Sequence, residues 1–327
     1  MSFDKGLKTI VVAVDLEGQP EAALDYARKL ATNYGARIVL AHALDPMEYA
    51  SVERLPLKVA SHLTAKGREA LGQLANDLLT LGIHSHSDVR QGAISGALVS
   101  IARQHDADLI VIGTEGKDGA GPVVVGAVAE QLARLAPCPV LAVAADWNAG
   151  PNRPLPGGPV LLTMERNEAS PSAAAAAYSL AITFDRPLLA LHVRTASEAA
   201  AGMNPCNPTD FGMKLPPRPH HALSGGSGWL RGEAPVHCLI KDGDPAEAVA
   251  EAIAENHPCI LVAGVKRISA TRGPHGTVFA LLSTSRAPVL CVPPESAHAD
   301  MERLATLPMG APKLRNPGAF VGSIAIA

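Results

Sequence analysis

Residues 107–143 read ADLIVIGTEGKDGAGPVVVGAVAEQLARLAPCPVLAV, and the order of their parts decides the fold. Leu109-Ile110-Val111-Ile112 is an unbroken apolar run, as in a strand buried on both faces of a parallel sheet. Gly113 and Gly116 bracket a tight turn, a glycine-rich loop follows, and Gly126 opens a helix expected over Ala127 to Leu135. Pro137 and Pro139 stop that helix, and Val140-Leu141-Ala142-Val143 reads as a second strand. Strand, glycine loop, helix N-terminus and strand bring free backbone N–H groups and the positive end of a helix dipole to one concavity. Such a concavity suits an anion. Glycine lets a phosphate approach the backbone there, where a Cβ would obstruct it.

Upstream, the same alternation holds. Thr9 to Asp15 reads as a buried strand ending in an acid. A helix is expected over residues 20–34, with Pro20 in its first turn and Gly35 as its stop. Arg37 to His42 is a strand, Leu57 to Leu81 a long amphipathic helix, His84 to Arg90 a strand, and Gly92 to His105 a helix. Strands alternating with helices predict a doubly wound parallel α/β sheet with right-handed crossovers. Ligands of such sheets sit beyond the carboxyl ends of the strands, so one pocket can hold both Asp15 and Gly113.

The second half repeats the first. Val160 to Glu165 matches Ile10 to Asp15, and Leu188 to Val193 matches Ile38 to Ala43 with His192 in the place of His42. DGDPAEAVAEAIAENHPCILVAG (242–264) matches QGAISGALVSIARQHDADLIVIG (91–113), and APVLCVP matches CPVLAVA. Self-similarity over this distance predicts two tandem domains: residues 1–145 and 159–294, with the Pro- and Gly-rich segment 146–158 as linker and 295–327 as a C-terminal tail. Where the first half has its long helix, the second has an insertion, 195–235, with Pro and Gly too dense for one helix; a helical turn is expected at 196–201.

The spacing Gly113, two residues, Gly116, nine residues, Gly126 resembles the nucleotide-binding signature of the universal stress protein family, and residues 128–143 look like that family's usual ending. The resemblance covers about residues 7–145 and 159–294. It implies two tandem Rossmann-like domains of the adenine-nucleotide hydrolase-like type. They would close into a pseudo-dimer by pairing Val140–Val143 with Val289–Val292. It implies ATP as ligand, with magnesium only as the companion of ATP. Asp15 would contact the ribose or adenine side, and the backbone of Ala13 and Ala43 would line the adenine. Ile112 and Gly113 would lie below the nucleotide, and Gly116, Gly126, Ala127 and Val128 would cradle the phosphates. Asp15 also reads as a turn or cap acid, and the glycines as plain turn formers. The family has Ser or Thr where Ala127 stands. That missing hydroxyl is worth roughly 1.5–3 kcal/mol against a charged phosphate, or about tenfold to a hundredfold in affinity. The second half has Gly276-Thr277-Val278 at that place, but Arg267 where the first has Gly116. It is expected to be degenerate.

Composition limits the alternatives. A chain of 327 residues that is 47% hydrophobic can build two cores, and aromatics at 3% leave the packing to Ala, Val and Leu. A net charge of −3 without a basic stripe argues against nucleic acid. No apolar run reaches the roughly 18 residues of a membrane span, and MSFDKGLKTI has no signal-peptide core, so a cytoplasmic protein is expected. Five cysteines without a Cys-x-x-Cys pair read as reduced thiols, Cys138 and Cys291 as buried ones. His220-His221 with Cys206 and Cys238 lacks structural-zinc spacing, and Ser224-Gly225-Gly226-Ser227 lies far from a first strand. No acid–base pair or nucleophile motif emerges. The expected function is an adenine-nucleotide-binding stress-response regulator, not an enzyme, with a homodimer and an unidentified protein partner left open. The competing readings are a scaffold with decayed pockets and a slow ATP hydrolase.

Overall fold

The computed structural model describes residues 6–16, 21–45, 57–114, 127–144, 147, 157–165, 170–203, 234–265, 282, 285 and 287–294. The first half contributes β1 (Thr9–Ala13), α1 (Glu21–Tyr34), β2 (Arg37–Leu44), α2 (Leu57–Thr80), β3 (Ser85–Gln91), α3 (Ile94–Gln104), β4 (Leu109–Gly113), α4 (Ala127–Leu135) and β5 (Val140–Val143). The second contributes β6 (Val160–Thr163), α5 (Ser170–Phe184), β7 (Leu188–Arg194), α6 (Ala196–Ala200), β8 (Val236–Asp242), α7 (Pro245–Asn256), β9 (Ile260–Gly264) and β10 (Val289–Val292).

The ten strands among the described residues form one sheet, in the order β3-β2-β1-β4-β5-β10-β9-β6-β7-β8. Every neighbouring pair is parallel except β5 and β10, which run antiparallel with Leu141 opposite Leu290. The expected pairing of Val140–Val143 with Val289–Val292 is therefore formed within one chain. Because the seam is antiparallel, the carboxyl ends of the two sets of strands point to opposite edges of the sheet. The central strands are buried Val, Ile and Leu on both faces, as a sheet covered by helices requires.

The repeat extends to register. Ile10 stands beside Ile38 and Leu109; its counterpart Val160 stands beside Leu188 and Ile260. The first sheet face packs under α1, α2 and α5 in a cluster that joins Leu30, Leu71, Leu141, Val143, Leu180, Leu290 and Val292 across the seam. The other face packs under α3, α4 and α7, with Leu98, Leu132 and Val249 in its cluster. Gly92 and Gly243, at φ of 135° and 113°, turn the chain from an edge strand into the following helix. For that reason α3 starts at Ile94 and not at Gly92, since no helical residue has such a φ.

The places where the halves differ obey local chemistry. Asp108 Oδ2 accepts from the backbone N–H of Lys8 at 2.7 Å and of Thr9 at 2.8 Å. The counterpart of Thr9 is Pro159, which has no N–H to donate, and the counterpart of Asp108 is Cys259, a buried thiol pushed up to about 11 by burial. Beside it, Gly158 lies so close to the chain that a Cβ would come within 1.8 Å of His257 O.

Candidate functional site

β1 leaves the sheet at Ala13, two residues before Asp15. Val14 still donates its N–H to Ala41 O at 2.8 Å. Its carbonyl, however, accepts from the side chain of His42 in β2, through Nδ1 at 2.8 Å, and not from a backbone N–H of a neighbouring strand. An imidazole bonded in this way carries a proton on Nδ1. The strand therefore does not run to Asp15 as the apolar pattern suggested: a side chain ends the ladder, and Asp15 stands exposed beyond it. The second half repeats the device, with His192 Nδ1 at 3.3 Å from Met164 O.

The carboxyl end of β4 lies next to this exit. Val12 is level with Val111, and Gly113 with Val143 on the other side. Ala13, Ile112 and Val128 meet in one apolar cluster with Leu132. Ala43, half-buried near the end of β2, stands opposite Arg90. Gly113 is exposed, has no positive φ, and a Cβ built on it would meet nothing within 4 Å among the described residues. Neither backbone conformation nor the packing of the described residues calls for glycine there, and the absence of a Cβ suits the close approach of a ligand. Thr114 follows. It is only 4% exposed, its N–H donates to Val143 O at 3.0 Å, and its Oγ1 has no hydrogen-bond partner among the described residues. An orphaned buried hydroxyl beside an open glycine is what a polar ligand would complete, so the residues present fit a nucleotide. The sequence reading passed over Thr114, although its counterpart Val265 in the repeat was available as a signal.

The helix of the expected cradle, α4, begins at Ala127 as predicted. Gly116 and Gly126 lie outside the described residues, as do Arg267, Gly276, Thr277 and Val278 of the second half. So do Cys206, His220, His221 and Ser224 to Ser227. In the second half, Glu165 is half-buried. There the helical turn expected at 196–201 is α6, and its Glu198 closes a capping box with Thr195. Glu198 Oε2 also lies 3.4 Å from His192 Nε2. The Thr195 backbone N–H, the Thr195 hydroxyl and His192 together hold the Glu198 carboxyl below its usual range.

A cavity of about 820 Å³ opens at the opposite edge of the first half, lined by Lys8, Arg37, His84, Asp106 and Asp108 among others. The carboxyl ends of α1, α2 and α3 converge there, marked by Gly35, Gly82 and Asp106 in its lining. Helix C-termini carry partial negative charge, which disfavours a phosphate, while Lys8 and Arg37 in the same lining favour one. Cys138 and Cys291 are buried, and burial alone pushes the Cys291 thiol up to about 12, which makes it an inert space-filler. Among the described residues no cluster of three or more His, Cys, Asp or Glu could hold a metal, and no helix is long and apolar enough to cross a membrane.

The family model described as universal stress protein family matches residues 6–144. A universal stress protein of Staphylococcus aureus is 30% identical over 142 residues, which span 83% of that protein and 42% of this chain. One from Methanocaldococcus jannaschii is 29% identical over 141 residues, 81% of its length and 42% of this chain. Over the whole chain the similarity is one of fold. A universal stress protein structure from Archaeoglobus fulgidus superposes with a TM-score of 0.64 at 15% identity, covering 86% of this chain and 97% of that one. A Pseudomonas aeruginosa protein described as functionally unknown superposes with a TM-score of 0.63 at 18% identity, covering 92% of this chain and 98% of its own.

Proposed function

The chain belongs to the universal stress protein family, and from that premise we propose that it binds an adenine nucleotide, ATP in the first instance, in its first half. It acts as a cytoplasmic stress-response regulator and carries out no turnover of its own. The observation that supports this reading most is the end of β4. Gly113 is exposed where the packing of the described residues asks for no glycine, and it stands beside the β1 exit, beyond which Asp15 is exposed. Ala13 and Ala43 would offer backbone to the base and Asp15 would accept from the ribose. Ile112 would form the floor, and Gly116, Gly126, Ala127 and Val128 would hold the phosphates through backbone N–H groups. Ala127 keeps its N–H while lacking a hydroxyl. Magnesium enters only with the phosphates of ATP.

The test is to denature freshly purified protein, quantify released nucleotide by mass spectrometry, and then titrate ATP into the free protein. About one adenylate per chain is expected, lost in Gly126→Val and retained in Gly276→Val. Absence of nucleotide, together with no binding at millimolar ATP, favours the second reading, a scaffold that recognises a protein partner. Ala127, at the place where the signature has a hydroxyl, is the observation on that side.

A further inference from the structure

Thr114 and Val265 hold the same place in the two halves. Each follows the last residue of its strand, Gly113 in β4 and Gly264 in β9. Each donates its backbone N–H to the closing strand: Thr114 to Val143 O at 3.0 Å, Val265 to Val292 O at 2.9 Å. Each is 4% exposed. Threonine and valine have nearly the same shape and differ by a hydroxyl for a methyl. In the second half a valine takes the equivalent place with the same backbone bond and the same burial. Among the described residues Oγ1 of Thr114 is buried without a hydrogen-bond partner. An unsatisfied buried hydroxyl disfavours the free folded state, so its presence calls for a reason outside the fold.

Position suggests the reason. Thr114 continues β4 by one ladder bond, so strand alternation places it on the same face as Ile112. Ile112 shares a cluster with Ala129 and Leu132 of α4. Thr114 therefore stands on the face that α4 covers, at the end of the sheet where α4 begins. The first turn of a helix leaves N–H groups unpaired and carries partial positive charge.

We infer that Thr114 Oγ1 is a ligand-binding hydroxyl of the first half, donating to a phosphate oxygen of the bound nucleotide and supplying the hydroxyl that Ala127 lacks. The inference rests on the nucleotide reading above. It also assigns a difference between the halves, because Val265 makes no such bond.

The experiment titrates ATP and adenosine separately into the full-length wild type, Thr114→Val and Thr114→Ser, and records thermal melts of each free protein. Thr114→Val is expected to bind ATP about tenfold or more weakly and to bind adenosine with wild-type affinity. Thr114→Ser, which keeps the hydroxyl, is expected to bind ATP within about threefold of wild type. Free Thr114→Val is expected to melt at or above the wild-type temperature, since the orphan is gone. ATP affinity in Thr114→Val within about twofold of wild type overturns the inference. Equal losses for ATP and adenosine, or a lowered melting temperature with no rescue by Ser, also overturn it, because either marks a structural role. A wild type that binds neither compound defeats the nucleotide reading and this inference together. A wild type that binds ATP while Thr114→Val binds it equally well removes the inference alone.

Discussion

Asp88 ties the outer strand of the first half to the helix behind it. Its carboxylate accepts from Arg90 Nε at 3.2 Å and Nη2 at 2.8 Å, and lies 3.2 Å from His105 Nε2. Arg90 in turn donates to Ser100 Oγ at 2.6 Å and to Gln104 Oε1. Burial works to raise the Asp88 carboxyl, but the bonds from Arg90 and His105 outweigh it and hold the group below the usual range. A carboxyl depressed in the folded state adds stability above its unfolded value, and the contribution disappears as pH falls through the folded value. Asp88→Asn should therefore lower stability at pH 7 by on the order of 1 kcal/mol, a figure discounted for partial solvent contact. The deficit should shrink below about pH 4. Denaturant melts at both pH values read this directly, and an equal deficit at pH 3 would sink the account. Gly158 makes a second prediction. A Cβ there would sit 1.8 Å from His257 O, so Gly158→Ala should destabilise by about 1–3 kcal/mol in chemical denaturation. An unchanged midpoint would mean that the close approach relaxes at no cost.

At the scale of elements, much was legible because regular structure writes itself into periodicity. The bounds of α4 and β5 fell where glycine and proline put them, Ala127–Leu135 and Val140–Val143. β4, read from four apolar residues, ran one residue further to Gly113. The end of β1 was misjudged, because the His42 ring takes the Val14 carbonyl, and apolar spacing carries no trace of a side chain that reaches across from another strand. Overlaying the repeats sets Thr114 against Val265, but the burial of its hydroxyl and the lack of a partner among the described residues are properties of the assembled site. One polar device could have been read by overlaying the repeats. Arg90 reaches Ser100 and Gln104, and Lys241 reaches Glu251 at 3.0 Å and Glu255 at 2.9 Å, at the same spacings of ten and fourteen residues. The insertion offers an element-scale test. The α6 capping box and its contact with His192 are complete by Glu198, and β8 begins at Val236. Excising residues 205–230, a stretch dense in Pro and Gly, should shift the thermal midpoint by no more than about 2 °C. A larger drop would show that the excised stretch is packed.

The whole molecule is held as one unit by the β5–β10 seam. Leu141 and Leu290 face each other across it, both fully buried, and the cluster around them draws from α1 and α5 alike. The Thr183 hydroxyl also donates to Tyr34 Oη at 3.0 Å, joining helices of different halves. Calorimetry of the intact chain should therefore show a single cooperative transition, with equal calorimetric and van't Hoff enthalpies. Leu290→Asp, which buries a charge at the seam, should lower the midpoint by on the order of 10 °C or divide the transition in two. Two transitions in the wild type would mean that the halves unfold independently. The outer edges of the sheet, β3 and β8, share a half-exposed pattern and carry charged Asp88, Arg90, Lys241 and Asp242, a composition that discourages further strands from adding.

The seam has a consequence for inheritance as well as for stability. Where two identical chains meet edge to edge, every substitution is made twice, and a change that spoils one pocket spoils its twin. Here both sides of the seam are written in one reading frame, each at its own address. Threonine can remain at 114 while valine occupies 265, and a proline at 159 can release an aspartate to become a cysteine at 259. The backbone keeps its near-symmetry while the side chains are free to specialise, so one end of the molecule can retain a binding chemistry that the other end is at liberty to lose or replace.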